Sequence, residues 1–405
     1  MRVLIADRLE LGELTSMTDA GLTVTHKPDL DADGLVEHLG GVDVLVVRST
    51  KVTETALHAA DALSLVIRAG AGTDNIDLAA AADRGIFVSN VPGRNASAVA
   101  ELTIGLLLAV DRSIVDASTT LRAQRWEKKR FAAADGIREK AIGIYGLGNI
   151  GLEVATTAYA MGMKIHVLDR ARSDSTSIRL TDMDAQYWPD LVELARNVDV
   201  LTLHAPLSDD TLGVVEATVL AALGANGILL NTARAELVDQ PALEAALDQG
   251  LRVGLDVFHE EPKGSSTDFS HPLSKHQNVI GTPHIGASTD QAQRAIADGV
   301  VDVLVRYLSG EVTNCVNLRQ ARERAATLVI RHHDRPGVLA GVLGVLRSQA
   351  LNVERMDNRI FEGGTAAIAM IDVTCDDEEG EIGPSLCAAL DALDGVIGAR
   401  LQPAQ

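Results

Sequence analysis

The stretch Ile-Gly-Ile-Tyr-Gly-Leu-Gly-Asn-Ile-Gly, residues 142–151, joins a short apolar strand to a Gly-x-Gly-x-x-Gly turn. Gly146 permits a tight turn, Gly148 lets the backbone approach a pyrophosphate, and Gly151 lets the following helix pack closely on the strand. The amide groups at the N-terminus of that helix would face the phosphate charge. The stretch therefore predicts a βαβ unit that binds a dinucleotide, although the glycine pattern alone is weakly specific.

An acidic residue stands where a cofactor ribose would be held. Asp169 follows Gly151 by 18 residues and ends the strand predicted over Lys164–Leu168. A carboxylate there accepts hydrogen bonds from the ribose hydroxyls and repels a 2′-phosphate, which favours NAD over NADP. Arg170 and Arg172 lie close by in the sequence and weaken the expected preference for NAD over NADP. The alternative interpretation of Asp169 is a helix cap or a solvated turn residue.

Three further strings follow predicted strands and together supply an arginine, a glutamate and a histidine. The strings are Asn-Thr-Ala-Arg-Ala-Glu (231–236), Asp-Val-Phe-His-Glu-Glu-Pro (256–262) and Pro-His-Ile-Gly-Ala-Ser (283–288). His284 is the candidate general acid/base, Glu261 would orient its ring and raise its pKa, and Arg234 would clamp a substrate carboxylate. Each residue alone has a structural explanation, as a packed histidine, a solvated turn acid or a surface ion pair. Their shared position at strand ends favours one site, because doubly wound folds bind ligands there.

Short apolar runs alternate with helix-compatible segments, which is typical of parallel βα units. The runs are Val3–Ala6, Val44–Val47, Leu65–Ile67 and Phe87–Ser89 in a first series, and Ala141–Tyr145, Lys164–Leu168, Val200–Leu203, Gly227–Asn231, Arg252–Asp256 and Val279–Thr282 in a second. The predicted fold class is α/β, with two doubly wound Rossmann-like domains. Ala96–Ala117 predicts one long connecting helix, and the residues after His284 look helical through Leu308. Residues 325–405 predict a ferredoxin-like β-α-β-β-α-β module.

The composition excludes several classes of partner. The formal net charge of −20 argues against nucleic acid, since phosphate contacts need clustered Lys and Arg. The longest apolar stretch, around Leu102–Val110, is far shorter than a membrane span. Three cysteines without Cys-x-x-Cys spacing predict neither a disulfide framework nor a zinc site, and no metal is expected. The N-terminus resembles a first strand rather than a signal peptide, so a cytoplasmic location is expected.

With these strings, residues 1–315 resemble the D-2-hydroxyacid dehydrogenase family. The resemblance is also carried by Val-Val-Arg-Ser-Thr-Lys-Val-Thr (46–53), Arg-Ala-Gly-Ala-Gly-Thr-Asp-Asn-Ile-Asp (68–77), Ala-Glu-Leu-Thr-Ile-Gly (100–105) and Trp-Glu-Lys-Lys-Arg-Phe (126–131). It implies a discontinuous substrate-binding domain, residues 1–95 and 284–317, with an NAD-binding Rossmann domain at 96–283. Residues 318–324 are the expected linker. The resemblance also implies dimerisation through the cofactor domain, and a homodimer or homotetramer is expected.

The resemblance assigns functional positions residue by residue. It implies catalytic roles for Arg234, Glu261 and His284. The implied cofactor contacts are Gly146, Gly148, Asn149, Ile150, Gly151 and Asp169 around the phosphates and ribose, and Ala205, Thr232, Ala233 and Asp256 near the nicotinamide. The implied substrate contacts are Arg48, Ala69, Gly70, Ala71 and Gly72.

The expected reaction is NAD-dependent oxidation of 3-phospho-D-glycerate to 3-phosphooxypyruvate, the first committed step of L-serine synthesis. Basic residues that would suit a phosphorylated substrate are Arg48, Lys51, Arg68 and the run Lys128–Arg130, which can also be a solvated basic face. The nearest alternative is reduction of hydroxypyruvate, glyoxylate or 2-oxoglutarate. From another class, a non-enzymatic NAD-sensing scaffold remains, as does a chain whose main role is amino-acid sensing.

Residues 325–405 resemble an ACT domain, an effector-binding fold found on amino-acid biosynthetic enzymes. The resemblance is carried by His-His-Asp-Arg-Pro-Gly-Val-Leu (332–339) and by Asn352. In serine-regulated relatives the matching positions are a histidine and two asparagines, here His332, Asp334 and Asn352. Serine is the expected effector. The alternatives are that the Asp334 charge favours an ammonium group or abolishes binding, and that the module serves only dimerisation.

Overall fold

A computed structural model describes residues 1–9, 22–262, 267–319, 326–375 and 384–402. The chain forms two compact units, residues 1–317 and 318–405. The linker expected at 318–324 lies mostly outside the described residues. The division of residues 1–317 at positions 95 and 283 stays a prediction.

Within the first unit, five parallel strands form one sheet in the order β2-β1-β3-β4-β5. The strands are β1 (Arg2–Ile5), β2 (Thr23–His26), β3 (Val44–Val47), β4 (Leu65–Arg68) and β5 (Phe87–Asn90). Helices α1 (Ala32–His38), α2 (Glu54–Ala59) and α3 (Leu78–Asp83) contribute Leu35, Leu57 and Ala81 to a core that includes Leu45 and Val47. The opposite-facing Val44 and Val46 pack with Ile296 and Val300 of a long helix, Asp290–Leu308. Since both faces are covered, the central strands are continuously apolar.

The same unit contains a seven-stranded parallel sheet in the order β12-β11-β10-β9-β6-β7-β8. Its strands are β6 (Ala141–Tyr145), β7 (Lys164–Leu168), β8 (Gln186–Trp188), β9 (Val200–Leu203), β10 (Ile228–Asn231), β11 (Arg252–Leu255) and β12 (Val279–Gly281). The helices are α4 (Ala96–Asp111), α5 (Ile114–Arg122), α6 (Asn149–Ala160), α7 (Asp174–Asp182), α8 (Leu191–Arg196), α9 (Ala217–Leu223), α10 (Gln240–Asp248) and α11, the helix Asp290–Leu308. The strand order reverses between β6 and β9, which creates the crevice where such sheets bind ligands.

The structure refines the sequence-based expectations at three places, and it contradicts one of them. The helix expected over Ala96–Ala117 is two helices, because α4 ends at Asp111 and Ser113 takes a left-handed φ of 49° before α5 begins. The helix expected after His284 does run through Leu308, and it begins at Asp290, where the Thr289 hydroxyl caps it. Strands β2 and β8 were missed because they are short, largely exposed edge strands with no apolar run.

The second unit has the β-α-β-β-α-β order expected from its sequence. The elements are β13 (Ala326–His333), α12 (Val338–Ser348), β14 (Leu351–Ile360), β15 (Ala366–Cys375), α13 (Pro384–Asp391) and β16 (Val396–Gln402). The antiparallel sheet has the order β14-β15-β13-β16. Val342, Leu346 and Leu390 of its two helices pack in one core with Leu328 and Ile371 of the sheet. The predicted fold class is confirmed for both units.

None of the helices in the described ranges is long and apolar enough to cross a membrane.

Candidate active site and dinucleotide site

The glycine turn follows β6 at the crevice, and its packing fits a dinucleotide phosphate. Gly146 has φ of 96°, and a Cβ there would lie 2.5 Å from Ala205 N. A Cβ on Gly151 would lie 1.9 Å from the Gly146 carbonyl oxygen, so α6 can begin this close to β6 only with glycine. Gly148 caps α6 without a side-chain hydrogen bond, and no atom of the described residues lies within 4 Å of where its Cβ would be. The backbone at the start of α6 is therefore uncovered at Gly148, and the amides of a helix N-terminus suit an anion.

The other wall of the crevice follows β9. Ala205 is buried, and its backbone N lies against the glycine turn. The preceding His204 was not anticipated from the sequence, which gives no motif for it. Its Nε2 lies 2.8 Å from Thr202 Oγ1, and burial lowers the pKa of His204 to about 3. His204 is therefore neutral at physiological pH and brings no charge to the crevice.

The other residues expected near the cofactor phosphates and ribose are Asn149 and Ile150, at the start of α6, and Asp169, directly after β7. Ile150 packs its side chain on the core beneath α6, so only its backbone is available to a phosphate. The Asn149 side chain lies against Gly93, because a Cβ added to Gly93 would be 2.9 Å from Asn149 Nδ2. Asp169 directly follows β7; its backbone N donates to Trp188 O (2.7 Å), while its side chain is exposed.

Asn231 builds the turn that presents Arg234 after β10. This buried side chain donates to Arg234 O (2.8 Å) and accepts from Ala233 N (3.0 Å). Thr232 lies 2.9 Å from the Thr103 hydroxyl. Because Thr103 already donates to Val99 O, Thr232 is the donor in that pair. The turn is thus fixed by hydrogen bonds to its own backbone and to α4.

His284 and Glu261 form a hydrogen-bonded pair between the loops after β11 and β12. His284 Nδ1 donates to Glu261 Oε2 (2.7 Å), and Phe258 N donates to Glu261 Oε1 (3.0 Å). The hydrogen bond to Glu261 is the largest influence on His284 and raises its pKa. Burial alone would raise the pKa of Glu261, but the hydrogen bonds from His284 and Phe258 outweigh it and lower that pKa. The pair holds a proton on His284 to higher pH and leaves Nε2 for chemistry.

His284 sits in strained backbone, which a buried carboxylate supports. Its φ is 52°, in the left-handed region that non-glycine residues seldom adopt. Asp256 is 1% exposed and accepts from Thr282 Oγ1 (2.6 Å), Ile285 N (2.9 Å) and Gly286 N (2.8 Å). The three hydrogen bonds span the turn on both sides of His284. Asp256, expected as a nicotinamide neighbour, is thus occupied in holding this turn.

Arginines from the carboxyl ends of β3 and β4 lie beside Arg234. The Arg48 guanidinium donates to Gln293 on α11, and its backbone N donates to the Asp7 carboxylate (2.7 Å). Burial lowers the pKa of Arg68 to about 10, and the charges of Arg234 and Arg48 act in the same direction. Within the described residues, Arg68 Nε is buried and has no hydrogen-bond partner. These arginines concentrate positive charge in an acidic chain.

The loop Ala69–Gly72 makes room for two of these guanidinium groups. A Cβ on Gly70 would lie 1.7 Å from Arg68 Nη1, and one on Gly72 would lie 2.1 Å from Arg234 Nη2. Arg234 Nε also donates to Asp74 (2.8 Å), which ties the turn after β10 to the loop after β4. Asp7, Asp74 and Gln293 were not predicted as site residues. Asp74 lies within the stretch 68–77 that contributes to the family resemblance, whereas nothing in the sequence marks Gln293.

In the second unit the three expected effector residues do not come together. His332 is buried on β13, with Nε2 3.0 Å from Asn358 Oδ1 and with Nδ1 donating to His333 O. Asp334 follows the same strand and is exposed. Asn352 pairs with Thr374 on β15, at the end of the sheet opposite to His332, which pairs with Ala367. These two partners on β15 are seven residues apart, so one chain holds Asn352 far from the other two residues.

Comparisons with known proteins agree with this geometry. A family model described as "D-isomer specific 2-hydroxyacid dehydrogenase, NAD binding domain" matches residues 104–286. The chain is 38% identical to D-3-phosphoglycerate dehydrogenase of Methanocaldococcus jannaschii, over 92% of this chain and 67% of that protein. It is 40% identical to hydroxypyruvate reductase of Thermotoga maritima, over 69% of this chain and 89% of that protein. The solved structure of the TT0316 protein from Thermus thermophilus matches with a TM-score of 0.69 and 31% identity, over 78% of this chain and all of the other.

The fold and the site define an NAD-binding oxidoreductase. The chain belongs to the D-isomer specific 2-hydroxyacid dehydrogenase family. The predicted family and the NAD cofactor are thereby confirmed. The chain spans about two thirds of the length of the curated D-3-phosphoglycerate dehydrogenases it matches, 67% of one and 63% of others.

Replacing Asp256 with asparagine should loosen the turn that carries His284. An amide cannot accept all three hydrogen bonds, so we expect a loss of stability of about 1–3 kcal/mol. Since the Asp256 charge helps to raise the pKa of His284, that pKa should fall. Thermal melting and an NMR titration of His284 measure the two effects. Asp248→Asn, which removes an exposed carboxylate, is the control, and an unmoved His284 titration would contradict the role of Asp256.

Proposed function

We propose that this chain catalyses NAD-dependent oxidation of 3-phospho-D-glycerate to 3-phosphooxypyruvate, the first committed step of L-serine synthesis. The observation that carries the proposal is the cluster of Arg48, Arg68 and Arg234, of which Arg234 lies near enough to His284 to affect its pKa. A phosphorylated 2-hydroxy acid has two anionic ends, and the cluster offers more cations than one carboxylate needs. The 38% identity to an archaeal D-3-phosphoglycerate dehydrogenase supports the same substrate.

His284 is proposed as the general acid/base. In oxidation, its neutral Nε2 accepts the proton of the substrate 2-hydroxyl while hydride leaves C2. When bound at the glycine turn, NAD⁺ supplies the hydride acceptor. Glu261 holds the ring by Nδ1 and stabilises the imidazolium that forms. Arg234 is proposed to hold the substrate carboxylate and to polarise the adjacent C2 oxygen.

The substrate phosphate is proposed to lie on Arg68 and Arg48. Arg68 carries a buried donor, Nε, that has no hydrogen-bond partner in the described residues. The positive charge of Arg68 is also repelled by the charges of Arg234 and Arg48. A phosphate would relieve both the unpaired donor and the repulsion. Lys51 is exposed, and Arg130 pairs with Glu127 (3.1 Å) and lies over Phe131, so these earlier candidates have no comparable support.

A second candidate function is reduction of hydroxypyruvate, glyoxylate or 2-oxoglutarate. The 40% identity to a hydroxypyruvate reductase favours this alternative, which would use the same Arg234, Glu261 and His284. A non-enzymatic NAD-sensing scaffold is less well supported, because the hydrogen-bonded His–Glu pair is a feature that chemistry requires and binding alone does not.

The second unit is proposed to be an ACT domain that senses an amino acid, with serine as the first candidate. His332 and Asp334 would form one half of the effector site. Because Asn352 lies at the other end of the sheet, a complete set requires a second copy of the chain, which fits the proposed homodimer or homotetramer. A cytoplasmic location is also proposed, since the three cysteines are free.

Removing the charge of Glu261 should move the pH profile. In oxidation, kcat/KM rises as His284 loses its proton, and Glu261→Gln lowers the pKa of His284. The rise should therefore move to lower pH, and the rate at the optimum should fall on the order of tenfold to a hundredfold. Glu260→Gln, a change in the neighbouring exposed acid, is the control. A Glu261→Gln pH profile that coincides with that of the wild type would contradict the proposed role of Glu261 beside His284.

Substrate choice tests the proposed activity and the phosphate site together. NADH oxidation is measured with phosphooxypyruvate, hydroxypyruvate, glyoxylate and 2-oxoglutarate, and phosphooxypyruvate should be preferred. Arg68→Gln should raise KM for phosphooxypyruvate by about 10- to 100-fold, since a hydrogen bond to a charged group is lost, and should affect hydroxypyruvate much less. Arg84→Gln, which precedes β5 at the opposite end of the sheet, is the control.

Preference for an unphosphorylated acid would keep the family and the His–Glu chemistry but reject the phosphoglycerate assignment. Equal effects of Arg68→Gln on both substrates would reject the phosphate site alone.

Serine should lower turnover and raise the melting temperature of the full chain. Asp334→Asn restores the asparagine of serine-regulated relatives on an exposed position and should strengthen both responses. Asn352→Ala should abolish them, whereas His333→Ala, an exposed neighbour, should not. Flat turnover and melting temperature in wild type and Asp334→Asn would reduce the second unit to a structural role.

A further inference from the structure

Phe258 contacts both halves of the His284–Glu261 pair. Its backbone N donates to Glu261 Oε1 (3.0 Å), which fixes one oxygen of the carboxylate while the other accepts from His284. Its ring lies against Gly281, the last residue of β12, because a Cβ added to Gly281 would be 2.8 Å from Phe258 Cζ. Gly281 precedes His284 by three residues. One aromatic residue therefore contacts the loop of the glutamate and the strand that leads to the histidine.

The loop between Phe258 and Glu261 contains a strained residue. Glu260 has a φ of 55°, in the left-handed region that non-glycine residues seldom adopt. Strained backbone persists only where the surrounding structure holds it. Glu260 is itself exposed, whereas Phe258 packs on the core that contains Leu255 and Leu273. The position of Glu261 therefore depends on how firmly Phe258 is held.

Two further rings enclose Phe258. Phe269 and His271 meet it edge-to-face, with ring centroids 5.4 and 5.5 Å away and interplanar angles of 71° and 69°. These two rings stack on each other, with centroids 5.5 Å apart and an interplanar angle of 11°. Edge-to-face and offset-stacked pairs are the arrangements that aromatic rings prefer. Phe269 and His271, here called the aromatic clamp, thus restrict the ring of Phe258.

His271 anchors the aromatic clamp to the core. It is 8% exposed, and its Nδ1 accepts from Leu273 N (3.3 Å) at the start of a short 3₁₀ helix, Pro272–Lys275. Burial lowers the pKa of His271, and the charge of His259 acts in the same direction. A neutral ring leaves Nδ1 free to accept this hydrogen bond and packs on Phe258 without bringing a charge.

We propose that Phe258 is a positioning residue for the reaction, and that the aromatic clamp holds it so that Glu261 and His284 meet in one geometry. This role rests on the proposed functions of Glu261 as the orienting acid and of His284 as the general acid/base. Phe258 acts through the hydrogen bond between His284 Nδ1 and Glu261 Oε2 (2.7 Å) rather than by touching substrate or cofactor.

Phe258→Leu keeps an apolar side chain but removes the ring that fills the aromatic clamp. A less firmly held Glu261 weakens the hydrogen bond that raises the pKa of His284, so this pKa should fall in an NMR titration of the full chain. In NADH oxidation with the preferred 2-oxo acid, kcat at the pH optimum should fall on the order of tenfold. KM should change little, because the arginine cluster is untouched.

Phe87→Leu is the matched control. Phe87 makes an edge-to-face contact with Tyr307 (ring centroids 6.5 Å apart) at the amino end of β5. Its substitution should lower the melting temperature and leave kcat and the pKa of His284 unchanged. A His284 titration that is unmoved by Phe258→Leu, or moved equally by Phe87→Leu, overturns the proposal.

His271→Ser tests the aromatic clamp without touching Phe258, and it decides the matter if Phe258→Leu does not fold. The serine hydroxyl can still accept from Leu273 N, but the ring is lost. The pKa of His284 should fall in this variant too, and an unchanged pKa contradicts the role of the clamp.

A double-mutant cycle shows whether Phe258 acts through Glu261. In the Glu261→Gln background, Phe258→Leu should lower kcat by less than about twofold, because the hydrogen bond that Phe258 protects is already weakened. An equal loss in both backgrounds overturns the proposal. If Glu261→Gln itself leaves kcat and the pH profile unchanged, the proposed function of the pair fails and the positioning role with it. If Glu261→Gln lowers kcat and Phe258→Leu does not, only the positioning role is rejected.

Discussion

The direction of the parallel strands is the constraint on which the rest of the structure depends. In a parallel sheet every carboxyl end lies at one edge, so residues distant in sequence meet there. The seven-stranded sheet brings Gly146, Asp169 and His204 to that edge, followed by Arg234, Glu261 and His284. The five-stranded sheet brings Arg48 and the loop after β4 in the same way. Every candidate group of the first unit is a consequence of that geometry and of the loop that follows its strand.

The charges at this edge are arranged against the charge of the whole chain. The molecule carries a formal charge of −20, yet Arg48, Arg68 and Arg234 lie close enough for their charges to influence one another. Asp7 and Asp74 partly offset this repulsion. Burial raises the pKa of Asp7, but hydrogen bonds from Arg48, Ser49 and Thr50 outweigh it, so that Asp7 remains ionised. The local field therefore attracts anions where the global field repels them.

What the sequence predicted well was carried by local patterns. Strands covered on both faces are continuously apolar, so β3 and β9 were visible, and the β13–β16 module was visible from its alternation. The edge strands β2 and β8 lack such a pattern, and the break at Ser113 depends on one backbone angle. The trio Arg234, Glu261 and His284 could be proposed from the sequence because each residue follows a predicted strand. The contact of Arg48 with Gln293 joins residues 245 apart and has no local signal. Similarly, the antiparallel register that separates Asn352 from His332 is decided by tertiary pairing.

Arg234 illustrates how one side chain can serve both the architecture and the site. Its Nε and Nη2 lie 2.8 and 2.7 Å from Asp74 Oδ2, and its Nη1 donates to Ala233 O (2.7 Å). Of its five N–H groups, one on Nη1 and one on Nη2 remain for another acceptor. A carboxylate can accept from these two groups while Asp74 keeps Nε and the other N–H of Nη2. Asp74 then fixes the plane of the guanidinium from the neighbouring sheet, so the direction in which Arg234 offers its free donors depends on both sheets at once.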